Sequence, residues 1–281
     1  MSRRSWVPAI EHTAMNIQPT FHPVSLEDLR DLRNDYLDHL LAAQEALLEV
    51  LVQQAQCFTI LAKGQVAGYF ISHEREGLLE FHVRPEFQAY AHLLFRRFVA
   101  EQSVRGALIK SFDHLLLACA MDIQTSVRVR GILVRDFIRR PLPEIARIRY
   151  RERAAEEPDA PRVRAIDQQV FTHPERLAAV IRAGAMRLFE QDEQLLGFGI
   201  IRPVIAGRPE VDLGLAVDAP FRNRGYAVYF LRDMAEYCLQ NGLVPISGCA
   251  AENEASIRLG SRVGFVSRYR LLEVRFDLAT A

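Results

Sequence analysis

From Ser25 the apolar positions recur at helical spacing, through Leu26, Leu29, Leu37, Leu40, Leu41, Leu47, Leu48 and Leu51, to about Gln56. Ser25-Leu-Glu-Asp28 opens that run as a capping box, so one long or two consecutive helices are predicted. The period then changes. Cys57 to Ala62 and Gln65 to Ser72 are β-rich and flank Lys63-Gly64, a tight hairpin turn, and Leu78 to Val83 follows a polar turn, giving a three-stranded antiparallel meander. Pro85 opens another helix, striped by Phe87, Leu93, Leu94, Phe95, Phe98 and Val99, before a strand at Ala107 to Phe112, a helix towards Gln124 and a strand from Val127 to Val134.

Residues 151–161 are charged, hold two prolines and have no bulky apolar side chain, which predicts an exposed connection. A boundary there divides the chain into 1–150 and 151–281. Beyond it the pattern predicts a strand at Arg162 to Ile166, a helix opened by Thr172 and Pro174 and ended near Gly184, and paired strands at Met186 to Phe189 and Gln194 to Ile201. Then come a strand at Val211 to Val217, a helix from Gly225 to Gln240, a strand at Val244 to Cys249, a helix from Asn253 to Arg262 and a strand from Phe265 to Phe276. The order β, α, β, β, β, α, β, α, β matches the first half in its central portion, so the expected class is α/β, a mixed sheet with helices, in two tandem units.

Composition adds exclusions. At 281 residues, 49% hydrophobic and 25% charged, the chain reads as globular and able to bury a sizeable core. Acidic and basic residues balance at 35 each, which gives no reason to expect nucleic acid or membrane as a partner. All the basic residues except Lys63 and Lys110 are arginine, which biased codon usage explains. Cys57, Cys119, Cys238 and Cys249 are widely spaced, so neither a disulfide framework nor a metal site is expected. With no stretch of signal-peptide or membrane-span length, the expected compartment is cytoplasmic.

The chemistry concentrates at Val211 to Ala227. An apolar strand there runs into the basic loop Arg222-Asn223-Arg224-Gly225-Tyr226-Ala227 and directly into a helix. The first N–H groups of a helix lack internal partners, its dipole concentrates positive charge at that end, and glycine lets the backbone close on an anion, so the junction suits a pyrophosphate. Arg222 and Arg224 add charge.

This loop resembles the (Gln/Arg)-x-x-Gly-x-(Gly/Ala) signature of the GNAT superfamily of N-acetyltransferases. Asn253-Glu-Ala-Ser256 and Val263-Gly-Phe265 fall where that family has an Asn-x-x-Ser/Ala segment and a Gly-Phe ending its last helix. The resemblance implies two GNAT-like acyl-CoA N-acyltransferase units, the second with acetyl-CoA or another acyl-CoA as co-substrate and a primary amine of a small molecule or peptide as acceptor. It places the pyrophosphate on the amides of Arg224 to Ala227 and the pantetheine along Leu215 and Val217 of a splayed strand, with Asn253 and Ser256 nearby. Such sites position the amine, remove its proton through a carboxylate or water, and hold the oxyanion on a backbone N–H; no metal is required.

Asp212 and Glu210 are the carboxylates nearest that strand. Glu210 reads as a loop residue, and Asp212 either as base and ammonium acceptor or as a strand-edge residue. The family often has a tyrosine seven positions after the motif asparagine; here that position is Gly260, followed by Ser261. The acid is then Tyr226, Tyr269, Ser261 or water, or none. Cys249 reads as a small buried thiol. In the first half the equivalent loop is Gln88-Ala89-Tyr90-Ala91-His92-Leu93, without the glycine or the arginines, so that unit is expected to be degenerate, to brace the other and to wall the acceptor pocket. His73, His82 and His92 read as ordinary structural residues. A homodimer is an open expectation. Two rival readings are a non-catalytic acyl-CoA-sensing or scaffolding module and an aminoacyl-tRNA-dependent transferase.

Overall fold

A computed structural model describes residues 17–142, 148–167 and 174–277. Each half repeats one order of elements. The first comprises β1 (Thr20–Val24), α1 (Arg30–His39), α2 (Ala46–Val52), β2 (Gln56–Ala62), β3 (Gln65–His73), β4 (Gly77–Val83), a 3-10 turn at Pro85–Tyr90 running into α3 (Ala91–Glu101), β5 (Gly106–Lys110), α4 (His114–Met121) and β6 (Gln124–Val134). After the two-residue β7 (Asp136–Phe137) the second has β8 (Arg151–Ala154), α5 (Ala160–Ile166), α6 (Pro174–Arg182), β9 (Met186–Gln191), β10 (Gln194–Pro203), β11 (Glu210–Val217), α7 (Tyr226–Gln240), β12 (Val244–Ala250), α8 (Glu254–Val263), β13 (Phe265–Val266) and β14 (Tyr269–Phe276).

Twelve strands form one mixed sheet in the order β1-β2-β3-β4-β5-β14-β6-β12-β11-β10-β9-β8. The centre of that order is an exchange. β14, the last strand of the second half, lies between β5 and β6 of the first, pairing Leu271 with Lys110 on one side and with Gly131 on the other. β6 in turn lies between β12 and β14, pairing Cys249 with Ile132. Each half therefore closes its sheet with a strand of the other. The exchange is held by apolar burial as well as by ladder bonds: Val274 and Phe276 enter the core beneath α3 and α4, and Leu271 joins Leu133 in the core beneath α1 and α2. Each such side chain contributes about 1.5–3 kcal/mol.

Four cores follow the layers. Phe70, Phe81, Phe95 and Phe98 centre the one under α3 and α4; Tyr36, Leu48 and Tyr69 the one under α1 and α2; Phe189, Phe230 and Met234 the one under α7; and Val163, Leu177 and Phe198 the one under α5 and α6.

The leucine-rich run from Ser25 divides into two helices. Its capping box is present, Ser25 and Asp28 exchanging bonds at 2.9 and 3.2 Å, but it closes a turn five residues before α1 begins. β1 precedes it as an edge strand that Phe21-His22-Pro23 disguised. Two expectations fail in the second half. Residues 151–161 are an edge strand and the start of a helix rather than a connection, because their charges are paired: Arg153 donates to Glu190 at 2.8 and 3.0 Å and to Asp159 at 2.7 Å, and Arg187 to Glu152 at 2.7 Å. Arg162 to Ile166 is helical, Pro161 standing in its first turn with Val163 fully buried. Thr172 lies outside the described residues.

Candidate functional site

β11 and β12 run parallel but stay in register only from Glu210 with Val244 to Asp212 with Ile246. Beyond that the strands part. Ser247 Oγ donates to Leu213 O at 3.0 Å at the fork, and a cleft of about 480 Å³ opens past it. Its walls include Leu213 to Leu215 of β11, Ser247 to Ala250 of β12, Asn253 and Ser256 at the start of α8, and Ile132 and Val134 of β6 behind.

The loop expected to bind pyrophosphate follows the outer end of β11. Gly225 has φ 93° and Asn223 φ 60°, both left-handed, and these two reversals turn the chain so that α7 begins at Tyr226 with its first N–H groups free of helical partners. The side chains divide the labour. Arg222 Nε donates to Val217 O at 2.9 Å and so ties the loop to the strand, Arg224 lies over the Phe221 ring at 5.7 Å, and both are otherwise exposed. Tyr226 is buried against Phe221 and Phe230, its hydroxyl 3.2 Å from Gln191 Oε1. Ala227 is half-buried beside it.

Leu215 lines the cleft, whereas the Val217 side chain is buried in the core under α7, leaving only its backbone on the strand edge. Asn253 caps α8, its side chain accepting from Ser256 N at 3.1 Å, and both residues line the cleft. Gly260 and Ser261 lie in the same wall. Of the three candidate acids with a side chain, Ser261 alone is there: Tyr226 is bound to Gln191, and Tyr269 packs edge-on against Phe112 at 5.0 Å.

Asp212 is not on a strand edge, since β11 lies between β10 and β12. Its neighbours Val211 and Leu213 pack under α7, so by strand alternation it faces the opposite side of the sheet. There it stands 3.7 Å from Arg202, and its carboxyl is pushed up to about 6, first by burial and next by the charge of Glu45; Arg202 and Arg135 oppose the rise. Glu210 lines a separate groove against the segment joining α1 to α2. Burial, and then Glu45, also push the Cys249 thiol up, which keeps it protonated.

Glu45, which sequence reading left inside a helical run, comes from the first half. It caps α2 and is held by Arg135, whose guanidinium also donates to Ala43 O at 2.8 Å and to Val134 O and Ser247 O at 3.0 Å. Its carboxylate lies against Gly248, where a Cβ would stand 3.1 and 3.2 Å from the two oxygens. A glycine inside a strand often marks such a close approach, and Gly248 was the available signal.

In the first half β4 and β5 also part early, paired only at Leu78 with Ala107. The fork there is filled. Glu80, fully buried, accepts from Arg33, Gln44 and Tyr69, while Lys110 donates to Tyr36 Oη and Tyr36 to Asp113, both at 2.5 Å. The loop equivalent to 222–227 is wound as a 3-10 turn straight into α3, with no left-handed residue. His73 accepts from backbone N–H groups, His82 faces Asp35 and His92 faces Asp122, so the three do not cluster. Among the described residues no group of three or more His, Cys, Asp or Glu could hold a metal ion, and no helix is long and apolar enough to cross a membrane.

The chain matches the acetyltransferase (GNAT) domain twice, over residues 25–137 and over residues 135–266. Among solved structures it is similar to an acetyltransferase of the GNAT family from Colwellia psychrerythraea (TM-score 0.80, 19% identity, 92% of this chain and 100% of that one). It is also similar to a tandem GNAT protein from the clavulanic acid biosynthesis pathway (TM-score 0.57, 13% identity, 93% and 99%) and to a GCN5-related N-acetyltransferase from Sphaerobacter thermophilus (TM-score 0.59, 15% identity, 92% and 96%). No curated protein matches it.

Proposed function

Because the chain belongs to the acetyltransferase (GNAT) family, with two such domains in tandem, we propose that its second unit moves an acetyl or other short acyl group from acyl-CoA to a primary amine of a small molecule or peptide. Residues 151–281 are then the acyl-CoA-binding unit, and residues 1–150 the degenerate one that braces it. The observation that carries this reading is the fork between β11 and β12, with a left-handed glycine and an open helix start at its outer end.

On this reading the amides of Arg224 to Ala227 take the pyrophosphate, and the pantetheine runs into the cleft beside Leu215, past Asn253 and Ser256. The amine comes from the Asp212 side of the sheet. An acceptor that arrives as its ammonium first gives one proton to Asp212 directly or through water; the freed amine nitrogen bonds to the acyl carbon, the C–S bond breaks, CoA leaves as thiolate, and the second nitrogen proton passes to water. A carboxyl that titrates near 6 is ionised at neutral pH yet basic enough for that task. Calorimetry with acetyl-CoA tests the cradle: Gly225→Glu should abolish binding, and unchanged affinity would remove the loop assignment.

A second reading, a non-catalytic acyl-CoA sensor, draws on Gly260, which presents no hydroxyl to the cleft. A thiol of pKa about 8.5 leaves without an acid, so turnover does not need one. CoA release with a mixed amine library separates the two: any turnover excludes a pure sensor.

A further inference from the structure

We propose that Glu45, carried by the first unit, holds the ammonium of the acceptor at the transfer site of the second, so that the acceptor is an amine bound as its cation. The inference rests on the reading of the β11–β12 cleft as the transfer site. It goes beyond that reading by naming a residue more than a hundred and fifty positions away in the chain.

Three observations place Glu45 there. Its carboxylate lies against Gly248, and Gly248 lines the cleft, so the charge reaches the wall where β12 has left β11. A methyl at position 248 would press on it closely enough to shift the carboxylate by a few tenths of an ångström, which gives the glycine a reason that strand pairing alone does not. Second, the carboxylate is buried, its side chain 11% exposed, and is aimed by Arg135, which is tied to backbone carbonyls of the α1–α2 segment, of β6 and of β12. Arg135 therefore fixes Glu45 to the strand that forms the cleft and not merely to its own unit. Third, a second carboxylate, Asp212, lies within reach of the charge on Glu45. The charge of Glu45 acts on Asp212, and the cations that act there are Arg135, engaged by Glu45 and three carbonyls, and Arg202, 3.7 Å from Asp212. The charge that Glu45 places on Asp212 is relieved by a further cation, and an alkylammonium is the cation that an acyl acceptor supplies.

The two carboxylates then have separate roles. Glu45, paired with Arg135, binds; Asp212, whose side chain makes no hydrogen bond among the described residues, takes the proton.

Steady-state kinetics on the full chain tests this, with benzylamine, glucosamine and lysine methyl ester as acceptors and acetyl-CoA as donor. Glu45→Gln keeps an acceptor oxygen for Arg135 but removes the charge, and should raise the KM for the amine about tenfold or more while leaving the calorimetric acetyl-CoA affinity within about twofold. Glu45→Asp should recover part of the loss. Gly248→Ala, which leaves Glu45 in place but displaces its carboxylate, should raise the amine KM in the same direction, so the inference stays testable if Glu45→Gln does not fold. An unchanged amine KM in the folded variants, against an active wild type, overturns the role of Glu45 alone. Absence of CoA release by wild type with every amine overturns the transferase reading and this inference with it.

Discussion

Arg33 grips Glu80 through Nε at 3.0 and 3.3 Å and through Nη2 at 2.8 Å, in a place where the carboxylate has no exposure at all. Tyr69 and Gln44 each complete the shell at 2.9 Å, and Glu49 takes the remaining face of Arg33 at 2.5 Å. This polar knot stands in the first unit where the second has its cleft. The pair is expensive to bury and costly to break. Glu80→Ala should lower stability by about 3–5 kcal/mol in urea unfolding, because the guanidinium stays buried with only Glu49 to oppose it. A loss under about 1 kcal/mol would show that water or a neighbour replaces the carboxylate.

Asp212 has the opposite sign. Its carboxyl titrates at about 6 in the folded chain against 3.8 for the free group, so the native state binds the proton more tightly than the unfolded one. Stability falls as pH rises from about 4 to 6, and above that range the ionised group costs about 1–3 kcal/mol. Asp212→Asn should therefore raise the melting temperature at pH 8 and change it little at pH 4. An equal gain at both values would rule out titration of this group.

The same carboxyl predicts kinetics. If Asp212 takes the ammonium proton, kcat/KM with any active amine rises through pH 6, and Asp212→Asn loses that limb along with about 10²–10⁴ in rate. Glu45, Arg135 and Arg202 surround it, so Arg202→Gln, which removes a cation beside it, should move the limb to higher pH. A wild-type profile flat between pH 5 and 7 argues for water as the proton acceptor.

Gly264 closes α8 with φ 120°, and a Cβ there would lie 2.0 Å from Ile138 O, where Ile138 N also donates to Gly264 O at 2.8 Å. Gly264→Ala must both enter a strained backbone region and push β13 off β7, so a destabilisation of about 2 kcal/mol or more is expected from thermal unfolding. A variant as stable as wild type would mean that the α8 end relaxes freely.

Removing residues 268–281 takes β14 out of the sheet. Although the cut lies in the second half, the first should suffer as well, since β5 loses its neighbour and Val274 and Phe276 leave the core under α3 and α4. The truncated chain should show no cooperative transition by circular dichroism. A protease-resistant fragment spanning residues 17–134 would show instead that the first unit folds alone.

Much of this was legible in the residues. Lys63-Gly64 forms its hairpin with φ 54° and 75°, and Gly225 and Gly264 stand where left-handed backbone ends or begins a helix. These are local demands that one residue type satisfies. β1 was missed because Pro23 and the flanking polar positions suit an edge strand, which alternation does not reveal. Arg151 to Ala154 was missed because charge reads as solvent when its partners, Glu190 and Asp159, are far off or across a turn. The signal at Pro161 was available, as proline in a first turn, and was outweighed by the apolar alternation after it. Glu45 gave no signal of its own. Its meaning comes from Gly248 two hundred residues later, and only the strand exchange brings them together.

That exchange also sets an order of events at the ribosome. β5 and β6 leave the exit tunnel early, but the strand that belongs between them is among the last residues made. At about 5–20 residues per second, the first unit waits on the order of ten seconds with a gap in its sheet. Neither half can be a finished product before the other, so nascent chains present two unpaired strand edges to chaperones until synthesis is complete. A premature stop before Tyr269 takes a strand from both units at once.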